Sequence, residues 1–595
     1  MRPSTDQSPP AGYGRFVGRV GALAIFLGVG TALGMPAASA DTDDAAPSRT
    51  ASTSAASSAS DSSRGPTARS ARTTVRAAVN GARVPTAPTR PVAAVPLRRA
   101  PTPSAASTAP QVAASTAPQV AASAVAQTEL SNRVSPLGTP AQISRERIAM
   151  RTAETLPVTL MKFVLRQGFL AAANQQFADV GGPDQANLDR LNNAVDEYAL
   201  ASAFSQQILN PMDPAVVTQV APPHDWYGLS VGGSRLLYDN PDTIYRFIPV
   251  NKTSEYVLTG RLYEGRPADT TFSVLEGTSG VTSTILTLDD LDVSPDGSFV
   301  ITVSGAAATP GQRNHLQLTS SSTLIAARNT LGDWAIEEPM ELEVQRVSGP
   351  PNSLFAQLGG FVLLGSLVND NPLLASLASL IPPLAIAEAP IVRGTLTALL
   401  MVVRGANTEA KYMALATTDP ATGKLRPPNV MTPPASNAEF LANQLQSNGY
   451  FQLADDQALI LTIDPASAGF FTVPVYDDWT ITGDYWNEQT SLNNYQSVRN
   501  LDGTTYTMVV SPTDPLVRNW VSTGGLNQGI ISMRFQNLDP DLPGTPTVES
   551  RVVKIADLAD YLPAGTVLVT PEQRATQLAV RKAGFDKRWA PYPQS

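Results

Sequence analysis

Two clusters of acidic residues could carry acid–base chemistry. Asp239 and Asp242 are three positions apart in Asp-Asn-Pro-Asp, and Asp478 follows Asp477 in a second cluster. Paired carboxylates act as acid and base in glycoside hydrolysis, and their oxygens also bind calcium. Asx side chains are equally typical of turns, where they cap their own backbone. Turn capping, calcium binding and catalysis all stay open, and we assign no metal and no catalytic residue from these clusters.

Four arginines could bind an anion. They are Arg313, Arg328, Arg518 and Arg534. A guanidinium group binds a carboxylate or phosphate through two parallel hydrogen bonds, so a fork of arginines would bind such a ligand. The alternative is a set of buried struts that pair with carboxylates inside the fold.

Two tryptophans complete the set of binding candidates. Trp334 and Trp520 lie at predicted strand ends or loops, where an indole face could stack on a sugar or a lipid chain. The alternative is packing, since such a ring buries roughly 150–250 Å². The chain has no Gly-x-Ser-x-Gly elbow and no Gly-Lys-Ser/Thr phosphate loop, which argues against an ordinary esterase and a P-loop protein.

The composition excludes several kinds of site. The 595 residues include no Cys and two His, so disulfides, thiolate metal sites and multi-histidine cages are impossible. The net charge of −9 argues against a nucleic-acid partner, which would need a basic face. We predict no cofactor.

The first 40 residues have the order of a signal peptide. Arg2, Arg15 and Arg19 precede an apolar run, residues 20–33, and a small-x-small site ends at Ala40. The run is short and rich in glycine, so an uncleaved membrane anchor is the less favoured alternative. The pattern predicts cleavage after Ala40 and a secreted or cell-envelope protein, exported by the general route.

Residues 41–142 have the composition of a disordered stalk. They are dominated by Ala, Ser, Thr, Pro and Arg, and Ala-Ser-Thr-Ala-Pro-Gln-Val-Ala occurs twice in succession. Such a segment buries too little apolar surface to fold. The stalk carries a net charge of +5 and residues 143–595 carry −16. A basic tether on an acidic body suggests contact with anionic envelope polysaccharide or lipid, although a merely solvated linker has the same composition.

The rest of the chain predicts an α+β, mainly β, fold. Apolar residues at helical spacing predict a helical segment over 143–220, divided near Pro157. Period-two patterns predict antiparallel, jelly-roll-like β-sandwich modules over 221–350 and 450–595, the second ending in a helix capped by Thr570. Between them, residues 351–449 read as an apolar helical connection. We expect its pieces to be buried helices between the sheets, with contact to lipid as the alternative.

The two sheet regions resemble each other in sequence. In each, Asp-Gly opens a strand, Arg-Asn closes a loop, and an arginine ends the next strand. The matched pairs are Asp296 with Asp502, Gly297 with Gly503, Asn314 with Asn519, and Arg328 with Arg534. The pattern predicts two related modules. His315 aligns with Trp520, so we expect ring packing there rather than proton transfer.

Both regions also carry a family resemblance. Its residues are Tyr476–Trp479, Gln489–Asn493, Asp514-Pro515, Arg518–Trp520, Thr523–Gly525 and Gly529–Ile531, with Asp239–Asp242, Tyr245-Arg246 and Arg328–Trp334 in the first region. Over about residues 225–350 and 450–590, the chain resembles the bacterial domain-of-unknown-function 1214 family. The resemblance implies a β-sandwich fold and no established reaction. The signal peptide and stalk are similar to those of exported mycobacterial proteins.

These observations favour an exported, stalked envelope protein that binds a glycan or a lipid. The acidic clusters support an alternative, a carboxylate-based hydrolase of envelope glycans. A purely structural role in the envelope is a third interpretation.

Overall fold

A computed structural model describes residues 134–277, 280–436 and 443–591. The predicted signal peptide and the predicted stalk up to Arg133 lie outside the described residues. The described part confirms an α+β, mainly β, fold. Its helices are α1 (Pro140–Ala153), α2 (Leu156–Gln176), α3 (Gln185–Gln207), α4 (Leu354–Gln357), α5 (Gly360–Leu363), α6 (Gly365–Val368), α7 (Pro372–Ala378), α8 (Pro390–Thr417) and α9 (Pro571–Arg588).

The first module consists of two facing sheets and a small hairpin. Its strands are β1 (Val217–Thr218), β2 (His224–Trp226), β3 (Leu229–Val231), β4 (Thr243–Pro249), β5 (Glu255–Arg261), β6 (Asp269–Glu276), β7 (Val281–Thr287), β8 (Ser298–Ser304), β9 (His315–Gln317), β10 (Ser322–Thr330) and β11 (Glu341–Ser348). The five-stranded sheet has the order β1-β4-β10-β6-β7, and the four-stranded sheet has the order β11-β5-β8-β9. Strands β2 and β3 form the hairpin.

The second module repeats this arrangement. Its strands are β12 (Ala435–Ser436), β13 (Leu445–Gln452), β14 (Gln457–Asp464), β15 (Ala468–Tyr476), β16 (Ser491–Asn493), β17 (Tyr506–Ser511), β18 (Trp520–Ser522), β19 (Gln528–Leu538) and β20 (Thr547–Lys554). The sheet orders are β12-β13-β19-β15-β16 and β18-β17-β14-β20. Strand for strand, these are the orders of the first module. The sheets are antiparallel except for one parallel pair in each module. This pair is β8 with β9 in the first module and β17 with β18 in the second, at equivalent positions.

The matched residues of the sequence occupy equivalent places. Asn314 and Asn519 each precede the short parallel strand, and each exchanges two hydrogen bonds with the backbone of one distant residue, Asp292 or Val498. The backbone carbonyl of each Asn also accepts a hydrogen bond from a backbone N–H of the neighbouring strand, that of Thr302 or Val509. Asn at this position therefore closes the same loop in both modules.

Each sandwich has its own apolar core, and the helices cover the outer faces of the five-stranded sheets. Ile325 and Ala327 of β10 face the first core, whereas Ala326 packs outward with α1 and α3. In β19, Ile531 and Met533 face the second core, whereas Ile530 packs outward with α2, α3 and α8. Side chains alternate along a strand, so Arg328, two residues after Ala326, and Arg534, four residues after Ile530, also lie on the outer faces.

Capping residues fix the helix ends near their predicted positions. The break between α1 and α2 falls at Glu154 and Thr155, and Pro157 lies in the first turn of α2, where proline is tolerated. Thr570 caps α9 as predicted, in a capping box with Gln573.

The connection differs from the prediction of buried helices. Only α8 is a long helix with a buried face, which includes Met401 and Met413. Residues 354–386 form short helices whose leucines are largely exposed. The apolar pattern was interpreted as burial, but a pattern of this kind does not reveal what covers it.

One helix, α2, is long and apolar enough to span a membrane by length and composition. Its Leu165 and Phe169 belong to the core shared with α3 and α8. Within the described ranges it is the sole and weak candidate, so they show no clear integral span.

Candidate functional site

A cavity of about 290 Å³ is lined by both five-stranded sheets together with α3 and α8. We refer to it as the central cavity. Sequence analysis assigned no chemistry to the helices, but α3 contributes Tyr198 and Ser202 to its wall, and α8 contributes Arg404, Lys411 and Tyr412. The central cavity therefore requires both modules and the helices around them.

Arg328 and Arg534 reach the central cavity from equivalent positions. Each is on the middle strand of its five-stranded sheet, β10 or β19. Arg328 is paired in register with Thr271 on β6, and Arg534 is paired with Thr472 on β15. The duplication thus places two buried guanidinium groups at one site.

The two arginines contact different protein groups. Arg534 donates to the Tyr476 hydroxyl at 2.8 Å, to the Ser532 carbonyl at 3.0 Å and to the Tyr238 carbonyl. Arg328 donates to the Ser273 hydroxyl at 3.3 Å and lies 5.8 Å from the centre of the Tyr245 ring. Burial lowers the pKa of Arg328, and the charge of Arg534 also lowers it. Arginine stays protonated, so the two like charges persist near each other.

Positive charge predominates in the wall. The charged lining residues are Arg328, Arg404, Lys411, Arg534 and Asp239. Burial lowers the pKa of Arg404. Lys411 is exposed, which places it at the opening. Four cationic groups against one carboxylate favour an anionic occupant.

Several buried polar atoms of the wall have no hydrogen-bond partner among the residues that the structure describes. They are Asn240 Nδ2, Arg404 Nε, Gln219 Oε1 and Gln536 Oε1. Leaving a buried polar atom unpaired costs about 1–3 kcal/mol. Two of the four are N–H donors, which a ligand with acceptor oxygens would satisfy.

Much of the remaining wall is apolar, although hydroxyl and amide side chains such as Ser202 and Gln446 also line it. Its larger side chains are Ile208, Leu236, Leu237, Phe247, Leu275, Leu324 and Leu400. A wall with convergent polar groups on an apolar lining is typical of a site for a small amphipathic molecule.

Asp239 lines the central cavity, but both of its carboxylate oxygens accept hydrogen bonds from Thr482. The Thr482 backbone N–H donates to one oxygen at 3.1 Å, and the Thr482 hydroxyl donates to the other. Burial raises the pKa of Asp239 to about 6, although Arg235 opposes the shift. The carboxylate thus ties the first module to the second.

Asp242 and Trp334 meet away from the central cavity. The Trp334 indole N–H donates to Asp242 at 2.8 Å, and the Asn493 amide donates to the same oxygen at 2.9 Å. Arg581 and Arg588 lie 4.1 Å and 3.9 Å from the Trp334 ring centre. This candidate pair therefore forms a junction between β16, the first module and α9.

Asp478 is also engaged in structure. It accepts from the Gln528 amide at 2.7 Å, and its backbone N–H donates to Asn187 of α3. Burial raises its pKa well above the ordinary value. Within the described residues, no group of three or more acidic or His side chains is arranged to hold a metal ion.

The other candidates lie elsewhere. Arg313 is exposed and pairs with Asp292 at 3.0 Å. Arg518 is half-buried and lines a separate cleft beside α9. Trp520 is buried, donates to the Ser511 hydroxyl at 3.0 Å and lies 5.0 Å from Arg574. The four arginines therefore do not form a single fork, and only Arg328 and Arg534 share a site.

Sequence analysis missed Arg404, Lys411 and Tyr412. They follow one another at i, i+7 and i+8 on α8, a spacing that places them on one helix face. That spacing was the available signal, but a polar stripe on a helix ordinarily indicates a solvated face.

The comparisons with known proteins identify no relative of known function. No protein-family model matches the chain, and no curated protein matches it. A solved structure of an uncharacterized protein from Burkholderia cenocepacia is 18% identical, covers 69% of this chain and 99% of its own, and has a TM-score of 0.47. A protein from Vibrio parahaemolyticus is 12% identical, covers 52% of this chain and 89% of its own, and has a TM-score of 0.29. Both scores are too low to support an argument about this chain.

Proposed function

We propose that this chain is an exported envelope protein that binds an anionic amphiphile in the central cavity. The carrying observation is the pair of buried arginines, Arg328 and Arg534, that the two modules direct to one apolar-walled site. The anionic head, a carboxylate or phosphate, binds these guanidinium groups, and the hydrocarbon part packs on the leucines of the wall. Export is supported by the cationic, apolar and small-residue order of residues 1–40.

The class of ligand follows from the wall. The wall includes hydrogen-bonding and aromatic groups that a neutral glycan could also use. Its seven large apolar side chains and its excess of positive charge favour an anionic amphiphile over such a glycan. The cavity volume lies near the lower end of the usual range for ligand sites, roughly 300–1,000 Å³. A single medium-length chain therefore fits this proposal better than a two-chain lipid.

Hydrolysis receives less support. Asp239 and Asp242 accept hydrogen bonds that join the two modules, and Asp478 accepts one from Gln528 within its own module. A carboxylate used in this way is a structural tie rather than a poised acid or base. We therefore place binding ahead of the hydrolase alternative.

A matched set of three ligands tests the proposal. The full chain is heated with decanoate, decyl phosphate or decanol, which share a ten-carbon chain and differ in head charge. A ligand that binds only the folded state raises the free energy of unfolding by about 2.7 kcal/mol at 100 times its Kd. We expect the two anions to raise the melting temperature and decanol to raise it much less. Equal shifts for all three, or no shift, would refute the arginine-based site.

A further inference from the structure

The surface of the chain carries a second feature that the central cavity does not use. Exposed apolar residues crowd three neighbouring places: the outer side of α2, residues 358–391, and the outer side of α8. We call this surface the apolar face. Phe163 on α2 is 67% exposed, and Leu373 on α7 is 69% exposed. Large contiguous patches of exposed apolar side chains are uncommon on a monomer and mark interaction sites.

Packing contacts show that these places adjoin. Gly394 of α8 packs on Thr155, and Gly405 packs on Leu165, so α2 and α8 run side by side in the same direction. Leu156 and Ile391, both exposed, lie within about one turn of the first of these contacts. The end of α4 lies beside the start of α8, because the Gln357 amide donates to Glu388 at 2.9 Å.

The acidic groups in and beside residues 358–391 are paired. Asp370 forms an ion pair with Lys252, and Glu388 forms one with Arg393. No other charged residue occurs between 354 and 387. Residues 358–391 therefore present hydrocarbon to solvent, and their acidic groups are compensated by ion pairs.

Cations border the apolar face on the side of α1 and α2. Arg147 and Arg151 are exposed, and α1 ends shortly before Leu156. Residues 140–176 contain five basic residues and two acidic ones, of which Glu146 is buried and Glu154 is exposed. Two of the basic residues, Arg145 and Lys162, form ion pairs with acidic residues outside this segment. A basic fringe beside apolar side chains is complementary to an anionic lipid surface.

We propose that the apolar face docks on the surface of an anionic lipid layer, with its leucines inserted among the acyl chains. A second copy of the chain is the competing occupant. A symmetric dimer through this face would bring the two basic fringes together, which like-charge repulsion disfavours. The charge distribution therefore points to lipid. Docking is independent of ligand binding in the central cavity, since the two use different residues.

Vesicle co-sedimentation tests this proposal with the full chain. The vesicles contain either equal parts of phosphatidylglycerol and phosphatidylcholine or phosphatidylcholine alone. We expect stronger binding to the anionic vesicles. The variant Leu373→Ser/Leu377→Ser removes two leucines of α7, and we expect its binding to fall about tenfold. The variant Arg147→Gln/Arg151→Gln is expected to lose the preference for anionic vesicles.

A matched control removes two exposed leucines far from the apolar face. Leu501 is 79% exposed and Leu542 is also exposed, both on the second module, so Leu501→Ser/Leu542→Ser should bind vesicles as the unaltered chain does. Three results would overturn the proposal. The first is an equal loss of vesicle binding in the two leucine double variants, and the second is no binding to either vesicle. The third is a dimer of the unaltered chain that Leu373→Ser/Leu377→Ser dissociates and the control variant does not. Decanoate binding by each variant serves as the check that the central cavity remains intact.

Discussion

Arg328 is the residue at which binding and stability are expected to oppose each other. Burial lowers its pKa most, Tyr245 and Asp269 raise it and the charge of Arg534 lowers it, so on balance its positive charge costs folding free energy. Methionine has a similar length and no charge. We predict that Arg328→Met leaves the free energy of unfolding unchanged or raises it by up to about 1 kcal/mol, while it weakens the binding of decanoate.

Arg534 provides the contrast. It makes three hydrogen bonds to protein groups, so Arg534→Met leaves buried acceptors unpaired. We predict a loss of about 2–4 kcal/mol in the free energy of unfolding, measured by urea titration. An Arg534→Met variant as stable as the unaltered chain would show that these hydrogen bonds do not hold the Arg534 side chain.

Glu409 makes the stability of the chain depend on pH. It is buried on α8, accepts from the Thr480 hydroxyl at 2.8 Å, and burial raises its pKa from 4.5 to about 8. Because the folded chain retains this proton while the unfolded chain releases it, stability falls as pH rises from about 4.5 to about 8. Urea titrations across this window should show the fall. Glu409→Gln should reduce this slope and be more stable at pH 8 by on the order of 3 kcal/mol. The raised pKa values of Asp239 and Asp478 account for a remaining slope. An unchanged pH slope in the variant would contradict a buried, protonated Glu409.

At the scale of elements, α2 and α8 approach closely because small residues face each other. A Cβ at Gly168 would lie 2.5 Å from the Cβ of Ala406. We predict that Gly168→Ala destabilises the chain by about 1–3 kcal/mol, although alanine favours a helix over glycine by about 1 kcal/mol. Ala406→Gly in the same chain should restore part of the loss, and thermal unfolding would measure both. Stabilisation by Gly168→Ala alone would mean that the helices are farther apart.

The elements also show how far the sequence could be read. The strands of the two arginines, β10 and β19, were predicted because they combine β-branched and apolar residues with clear turns. Strand β13 was largely missed, because Ser447, Asn448 and Gly449 interrupt its apolar pattern. Those polar residues are buried because they are hydrogen-bonded, with Asn448 accepting from Ser532 at 2.7 Å. Single-sequence patterns cannot identify such cross-strand partners.

Only part of the central cavity could be predicted from the sequence. The alignment of Arg328 with Arg534 identified two equivalent positions. That both face one cavity depends on α3 and α8, which come from separate parts of the chain. The exposure of Leu373 and its neighbours could not be predicted either, since an exposed leucine and a buried one are identical in sequence.

At the scale of the whole molecule, the modules are interlocked. Tyr238 of the first module donates its backbone N–H to Thr480 of the second, and Asn493 of the second donates to Asp242 of the first. We predict that both modules unfold in one calorimetric transition. Asn493→Ala removes a hydrogen bond to the buried Asp242 carboxylate. It should lower the temperature of the single transition and reduce the free energy of unfolding of the whole chain by about 2–4 kcal/mol. Two transitions, of which only one shifts, would show that the modules are independent.

Calorimetric titration with decanoate is the most direct test of the central claim that duplicated arginines bind an anionic head. The account predicts one site per chain and a Kd that rises about 10–100-fold in Arg328→Met, since a charge-assisted hydrogen bond contributes about 1.5–3 kcal/mol. Arg313→Met, at an exposed ion pair outside the cavity, should bind as the unaltered chain does. Equal affinity of all three proteins would contradict the account.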